Sequence, residues 1–198
     1  MYKKYVKRII DIIIGLCALP FVIIVVLFCG TIIYFSDKGP IFYNSIRLGK
    51  DGKPYKMFKL RSMKVNAPDI RNTDGSTFNG DDDPRVTNIG HFMRKTSLDE
   101  FPQFLNVLLG NMSIIGPRPT VPIEGLNFQE LSDIEKKHYM VKPGITGYSQ
   151  AYFRNSINQD EKFVNDAYYA DNISFFLDIK VFLKTIQSVV GRKNIYNK

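Results

Sequence analysis

The 198-residue chain has no tryptophan, two cysteines and two histidines. Cys17 and Cys29 both fall in the same apolar stretch, so no disulfide framework is available and a reducing compartment is indicated. His91 and His138 have no cysteine near them in sequence, which makes a zinc site improbable. The most telling absence is charge. Residues 12–35 contain no Asp, Glu, Lys or Arg. A helix of that length, at about 1.5 Å per residue, reaches roughly 36 Å and exceeds a hydrocarbon core of about 30 Å. The run is too long for the apolar region of a signal peptide, and no small-x-small cleavage site follows it.

What is present narrows the class further. Aromatic residues make up 13% of the chain, too many for a disordered polymer. The length suits one domain beside the membrane segment: residues 1–37 as membrane helix with a basic flank, and 38–198 as a cytosolic domain packed on the membrane. The formal net charge of +8 suits nucleic acid, anionic lipid or a phosphorylated substrate.

Both flanks of the apolar run are basic. Lys3, Lys4, Lys7 and Arg8 precede it; Lys38, Arg47, Lys50, Lys53 and Lys56 follow. The positive-inside rule therefore gives no orientation for a simple span. Pro20 sits inside the run and favours a kink or break. A broken helix that enters and leaves by one face satisfies both flanks, with a simple span as the competitor.

The remainder reads as α+β and mainly helical. Ser36-Asp37-Lys38-Gly39-Pro40 is a turn signal. Asp51-Gly52 followed by Tyr55-Lys56-Met57-Phe58-Lys59-Leu60 predicts a small β-hairpin. Residues 64–84 predict a long polar loop. Residues 89–95, 98–109, 130–141 and 173–190 predict helices. Phe101, Phe104, Leu105, Leu108 and Leu109 line one face of the second, and Phe175, Phe176, Ile179, Phe182, Leu183 and Ile186 one side of the last. Such amphipathic helices either form the soluble core or lie in the membrane interface.

Three places could carry chemistry. Ser97-Leu98-Asp99-Glu100 has the spacing of a capping box, in which Ser97 caps and Glu100 reaches back. The same spacing also sets an ionised Asp99 at a helix start, where a carboxylate can attack phosphorus and Glu100 can hold a divalent cation. Gly116-Pro117-Arg118-Pro119 holds one guanidinium between prolines, pre-organised for phosphate. Lys59 and Arg61 flank Leu60 and could add positive charge, or form a solvated strand face.

The order of these motifs is more specific than any one of them. Lys59-Leu60-Arg61-Ser62-Met63, Asp83-Pro84-Arg85-Val86-Thr87, Arg94, Asp99-Glu100-Phe101-Pro102-Gln103, Asn106-Val107, Gly116-Pro117-Arg118-Pro119 and Lys142-Pro143-Gly144-Ile145-Thr146-Gly147 follow one another. Over nearly the whole chain this series closely resembles the bacterial sugar transferase family, in particular its small monotopic phosphoglycosyl transferases.

The resemblance implies transfer of a sugar 1-phosphate from a UDP-sugar to polyprenyl (undecaprenyl) phosphate, releasing UMP through a covalent intermediate on Asp99. It implies Mg²⁺ on Glu100 and a phospholipid head group near Arg94. Substrate and phosphate contacts are implied at Lys59, Arg61, Arg85 and Arg118, with Gln150 and Arg154 near the nucleotide or sugar. It further implies a re-entrant membrane helix in a bacterial cytoplasmic (inner) membrane, interfacial helices, and a catalytic domain on the cytosolic face. The partners implied are the UDP-sugar, the polyprenyl phosphate and the phospholipid bilayer; no nucleic acid is expected, and a homodimer is allowed. A Ser-Pro pair common in the family is replaced here by Ile23 and Ile24, so Pro20 is the expected break. The competing reading is a non-catalytic, basic, membrane-anchored adaptor. The donor sugar and the glycan pathway are not readable from the residues.

Overall fold

The computed structural model describes residues 1–70, 78, 80, 82–122, 128–154 and 156–191. A short π-helical turn, Tyr2–Val6, leads into α1, Lys7–Asp37. Helix α1 is continuous through Pro20, so the expected break does not appear as an interruption. Proline removes only the N–H that would bond the Leu16 carbonyl, and the turns on either side keep their own hydrogen bonds.

One face of α1 packs on the rest of the molecule. Asp11, Gly15, Val22, Cys29, Gly30 and Ile33 are buried along it. Asp11, Gly15, Val22, Cys29 and Ile33 are spaced by four and seven and make a single stripe, with Gly30 at its edge. Phe21, Ile24, Leu27 and Phe28, on the other side, are each more than 60% exposed. Few soluble proteins leave so large an apolar face uncovered. Helix α1 is also long and apolar enough to cross a membrane.

Both ends of α1 are tied to one body. At the N-terminal end Lys7 Nζ and Tyr2 Oη donate to Asp178 Oδ2 at 2.8 and 2.5 Å, and Arg8 donates to the carbonyls of Val107 and Leu108. The buried Asp11 accepts from Ser113 Oγ and from the Ile114 N–H. At the other end Asp37 takes both arms of the Arg61 guanidinium at 2.6 Å.

Strands β1, Ser45–Leu48, and β2, Pro54–Met57, form the expected antiparallel hairpin, with Arg47 opposite Tyr55. Asp51 and Gly52 turn the chain with left-handed φ of 56° and 68°, which Asp-Gly tolerates. Helix α2, Asn88–Thr96, is capped by the Thr87 hydroxyl. The helix expected over 98–109 is split. A 3₁₀ turn, Leu98–Glu100, precedes α3, Gln103–Leu109. Pro102, with its fixed φ and no N–H, starts α3 afresh.

A second small sheet pairs β3, Ser113–Ile115, with β4, Gly144–Thr146, in parallel. Around it stand α4, Asp133–Tyr139; α5, Tyr148–Tyr152; α6, Gln159–Asp171; and α7, Phe175–Val190. The main core joins Met57, Val107, Met112, Ile115, Tyr169 and Val181; a second cluster joins Cys29 and Ile33 of α1 to Leu60 and Met93. The loop expected over 64–84 lies partly outside the described residues.

Candidate active site

Asp99 sits in the 3₁₀ turn between α2 and α3. Ser97, just before it, has φ 57°, ends α2 and makes no side-chain capping bond. The capping-box alternative is therefore not what the structure builds: a left-handed Ser97 cannot present its hydroxyl to the turn it precedes. True capping boxes occur at Ser132/Glu135 and Asn158/Glu161. Asp99 is only 2% exposed, and its carbonyl accepts the Leu60 N–H at 2.9 Å. This bond brings Lys59 alongside. Lys59 Nζ lies 2.8 Å from Asp99 Oδ2 and 3.7 Å from Glu100 Oε1. The Asp99 Oδ2 atom is buried and has no well-aligned hydrogen-bond donor.

Asn106 holds this segment in place from α3. Its side chain accepts the Phe58 N–H at 2.9 Å and donates to the Lys56 carbonyl at 2.8 Å. Its burial is complete. Asn106 has no role that spacing alone assigns; a fully buried amide that clasps a strand end is visible only in the fold.

Arg118 approaches from the other side, with Nη2 3.9 Å from Glu100 Oε1. Gly116 sets the course of its loop. A Cβ there would stand 2.3 Å from the Lys142 carbonyl, and one at Gly147 would stand 2.1 Å from the Gly116 carbonyl. Only glycine permits these backbones to meet. Burial alone would raise the Glu100 carboxyl, but Lys59, Arg118 and Arg47 together hold it below the usual carboxylate range. The turn thus carries two adjacent carboxylates ringed by cations, suited to receiving a phosphate-bearing substrate.

The profile of the bacterial sugar transferase family matches residues 2–192. The chain belongs to that family. It is 35% identical over 190 residues to an uncharacterized sugar transferase, EpsL, of Bacillus subtilis, covering 96% of this chain and 89% of that protein. It is 37% identical over 189 residues to the UDP-glucose:undecaprenyl-phosphate glucose-1-phosphate transferase of Escherichia coli, covering 93% of this chain and 40% of that protein. With the undecaprenyl-phosphate galactose phosphotransferase of Salmonella typhimurium the identity is 34% over 210 residues, covering 98% and 42%. The chain therefore spans less than half the length of these last two relatives. The exposed apolar helix and the family together make it a membrane-anchored sugar transferase.

The structure of this sugar transferase brings together Asp99, Glu100, Lys59 and Arg118. It does not bring Arg61 or Arg85 to them. Arg61 is buried, and its fork is filled by Asp37 and the Pro40 carbonyl. Arg85 is buried on Asp83, with further bonds to the carbonyls of Pro68 and Phe78. Neither makes a hydrogen bond or ion pair with Asp99 or Glu100. Arg94 is half-buried on α2 and donates to Ser62 Oγ at 3.1 Å. Gln150 lies on α5, its Oε1 buried without a partner. Arg154 follows α5 with φ 52°.

A cation at this turn would have at most two protein carboxylates. Among the described residues no three His, Cys, Asp or Glu gather. Mg²⁺ is commonly held by one or two carboxylates with water and substrate phosphates completing its shell, and the partly exposed Glu100 carboxylate beside Asp99 is compatible with that donor set.

Proposed function

We propose that this chain transfers a sugar 1-phosphate from a UDP-sugar to polyprenyl phosphate, as a membrane step in building a glycan. The observation that carries the reading is the buried Asp99 carboxylate held at 2.8 Å by Lys59, beside Glu100 and under Arg118. The relatives' names supply the substrate class: they act on undecaprenyl phosphate with UDP-glucose, galactose or UDP-N-acetylgalactosamine. Those names differ in the sugar, so the reading here is a UDP-sugar.

An Asp99 oxygen attacks the β-phosphorus of the donor. The bond from that phosphorus to the bridging oxygen breaks, and UMP departs with the electron pair. The sugar phosphate is then carried on Asp99 as an acyl phosphate. A phosphate oxygen of the polyprenyl phosphate attacks the same phosphorus, and the Asp99 carboxylate is regained. Lys59 holds Asp99 in place through the 2.8 Å contact with Oδ2. Arg118 faces the phosphate oxygens, where charge-assisted contact is strongest. Mg²⁺, held by Glu100 when bound, supplies charge neutralisation for the diphosphate.

Helix α1 would dip into the inner membrane and return to the cytosolic face, with α7 lying in the interface. In support, Lys7 and Asp37, at its two ends, both bond to the same body, while Phe21, Ile24, Leu27 and Phe28 between them are exposed. On α7, Phe176 is 76% exposed.

The test is UMP release by purified protein in lipid with polyprenyl phosphate, Mg²⁺ and a panel of UDP-sugars. Release with at least one donor is expected, falling by about a thousandfold or more in a folded Asp99→Asn variant, the scale seen when a nucleophile is removed. No release from any donor would refute the reading.

A further inference from the structure

Arg47 is the cation that the motifs did not single out. It lies in β1, directly opposite Tyr55 of β2. The next residue, Leu48, donates its N–H to the Thr120 carbonyl at 2.9 Å, two residues beyond Arg118. Strand β1 therefore runs between the hairpin partner and the Gly-Pro-Arg-Pro loop. On the hairpin's other flank, the Tyr43 N–H bonds the Lys59 carbonyl at 2.9 Å. These pairings set Arg47 in the wall between Lys59 and Arg118.

What Arg47 lacks is a counter-ion. Arg61 and Arg85 each close a fork on a carboxylate, Asp37 and Asp83. Arg47 is half-buried, and among the described residues its single hydrogen bond runs from Nε to Ser45 Oγ at 3.2 Å. Among the described residues no carboxylate pairs with it. Its two terminal nitrogens carry no hydrogen bond among the described residues, so the fork is open to an anion. Across the strand pair the Tyr55 hydroxyl is buried and also without a partner. A buried hydroxyl left unmet is unusual in a packed protein. Arg47 also senses both Arg118 and Glu100 electrostatically, which agrees with the strand pairings.

We propose that Arg47, with the Tyr55 hydroxyl beside it, binds the donor phosphate that departs with the nucleoside. The inference rests on the phosphotransfer reading above. Lys59 is committed to Asp99 and so marks the phosphorus under attack. Arg47 lies on the Thr120 side, near Arg118, and no carboxylate forms an ion pair with it among the described residues. A cation there holds the leaving phosphate and meets the negative charge that grows on it as the bond breaks.

The experiment measures steady-state kinetics in lipid for Arg47→Gln, Arg47→Lys and Tyr55→Phe, with UMP as inhibitor and thermal unfolding as the folding check. Arg47→Gln should raise the KM for the UDP-sugar and the inhibition constant of UMP together, by about tenfold, the worth of one charge-assisted contact. The KM for polyprenyl phosphate should stay within about twofold. Arg47→Lys, which keeps the charge and loses the fork, should fall between, and Tyr55→Phe should shift UMP in the same direction by less. An unchanged UMP constant in folded, active Arg47→Gln overturns the subsite and leaves the transferase reading intact. A rise confined to the polyprenyl phosphate KM also overturns it. A wild-type protein that turns over no donor instead overturns the transferase reading.

Discussion

Lys59 Nζ lies 2.8 Å from Oδ2 of Asp99, and the two residues belong to segments joined by the bond from the Leu60 N–H to the Asp99 carbonyl. The pair is asymmetric: Asp99 is enclosed, while the Lys59 side chain keeps 23% of its exposure. Lys59→Met leaves a buried carboxylate uncompensated. Breaking a fully buried pair costs about 3–5 kcal/mol, and the exposure of Lys59 brings the expected loss to about 1–3 kcal/mol. Adding Asp99→Asn should recover most of it. Denaturant unfolding of the two single variants and the double variant measures this coupling; strictly additive losses would contradict the pairing.

The Asp83–Arg85 pair gives a pH signature. Hydrogen bonding from Arg85 holds the Asp83 carboxyl below its usual range, against the opposing effect of burial. The folded pKa is below the unfolded one. The pair's stabilisation is therefore fully present above about pH 4 and is lost as pH falls toward the folded value. Asp83→Asn should cost about 2–4 kcal/mol near neutral pH. The gap between wild type and variant should narrow by about 1 kcal/mol per pH unit below pH 4. A gap that stays constant on acidification would contradict this assignment.

Gly147 is where α5 meets the loop that carries Arg118. A methyl at that position collides with the Gly116 carbonyl, a backbone atom that cannot swing aside. Gly147→Ala should cost about 1–3 kcal/mol and lower turnover beyond the loss of folded protein. Thermal unfolding run beside UMP release separates the two effects. Unchanged turnover would show that the loop position is not held by this contact.

The route of α1 through the bilayer is open to chemical labelling. If the helix returns to the face it entered, Lys3 and Lys50 react with an impermeant reagent from the same side of sealed vesicles. Reaction from opposite sides would restore a simple span.

Much of this architecture is written in local pattern. The uncharged run, the Asp51-Gly52 hairpin and the apolar face of α7 each follow from spacing along one segment. Asp99, Glu100, Lys59 and Arg118 were found through the order of their motifs, and the fold brings them together. What spacing does not show is partnership across the chain. Arg61 and Arg85 have the same residue type as Arg118, yet each is enclosed with a carboxylate; Asp37 lies 24 residues from Arg61. The Ser97 capping box failed because a single left-handed residue, stabilised where α2 ends, redirects the hydroxyl. In sequence Arg47 is one of several basic residues after the apolar run; that it forms no ion pair among the described residues is a property of the packed hairpin.

The central claim is that Asp99 carries the sugar phosphate. Intact-protein mass spectrometry after incubation with a turned-over UDP-sugar and Mg²⁺, without polyprenyl phosphate, tests it most directly. The account predicts that wild-type protein gains the mass of one sugar phosphate, that the adduct maps to Asp99 and disappears when acceptor is added, and that Asp99→Asn gains nothing. An active wild-type protein that shows no adduct under rapid quench, or an adduct that persists in Asp99→Asn, would contradict it.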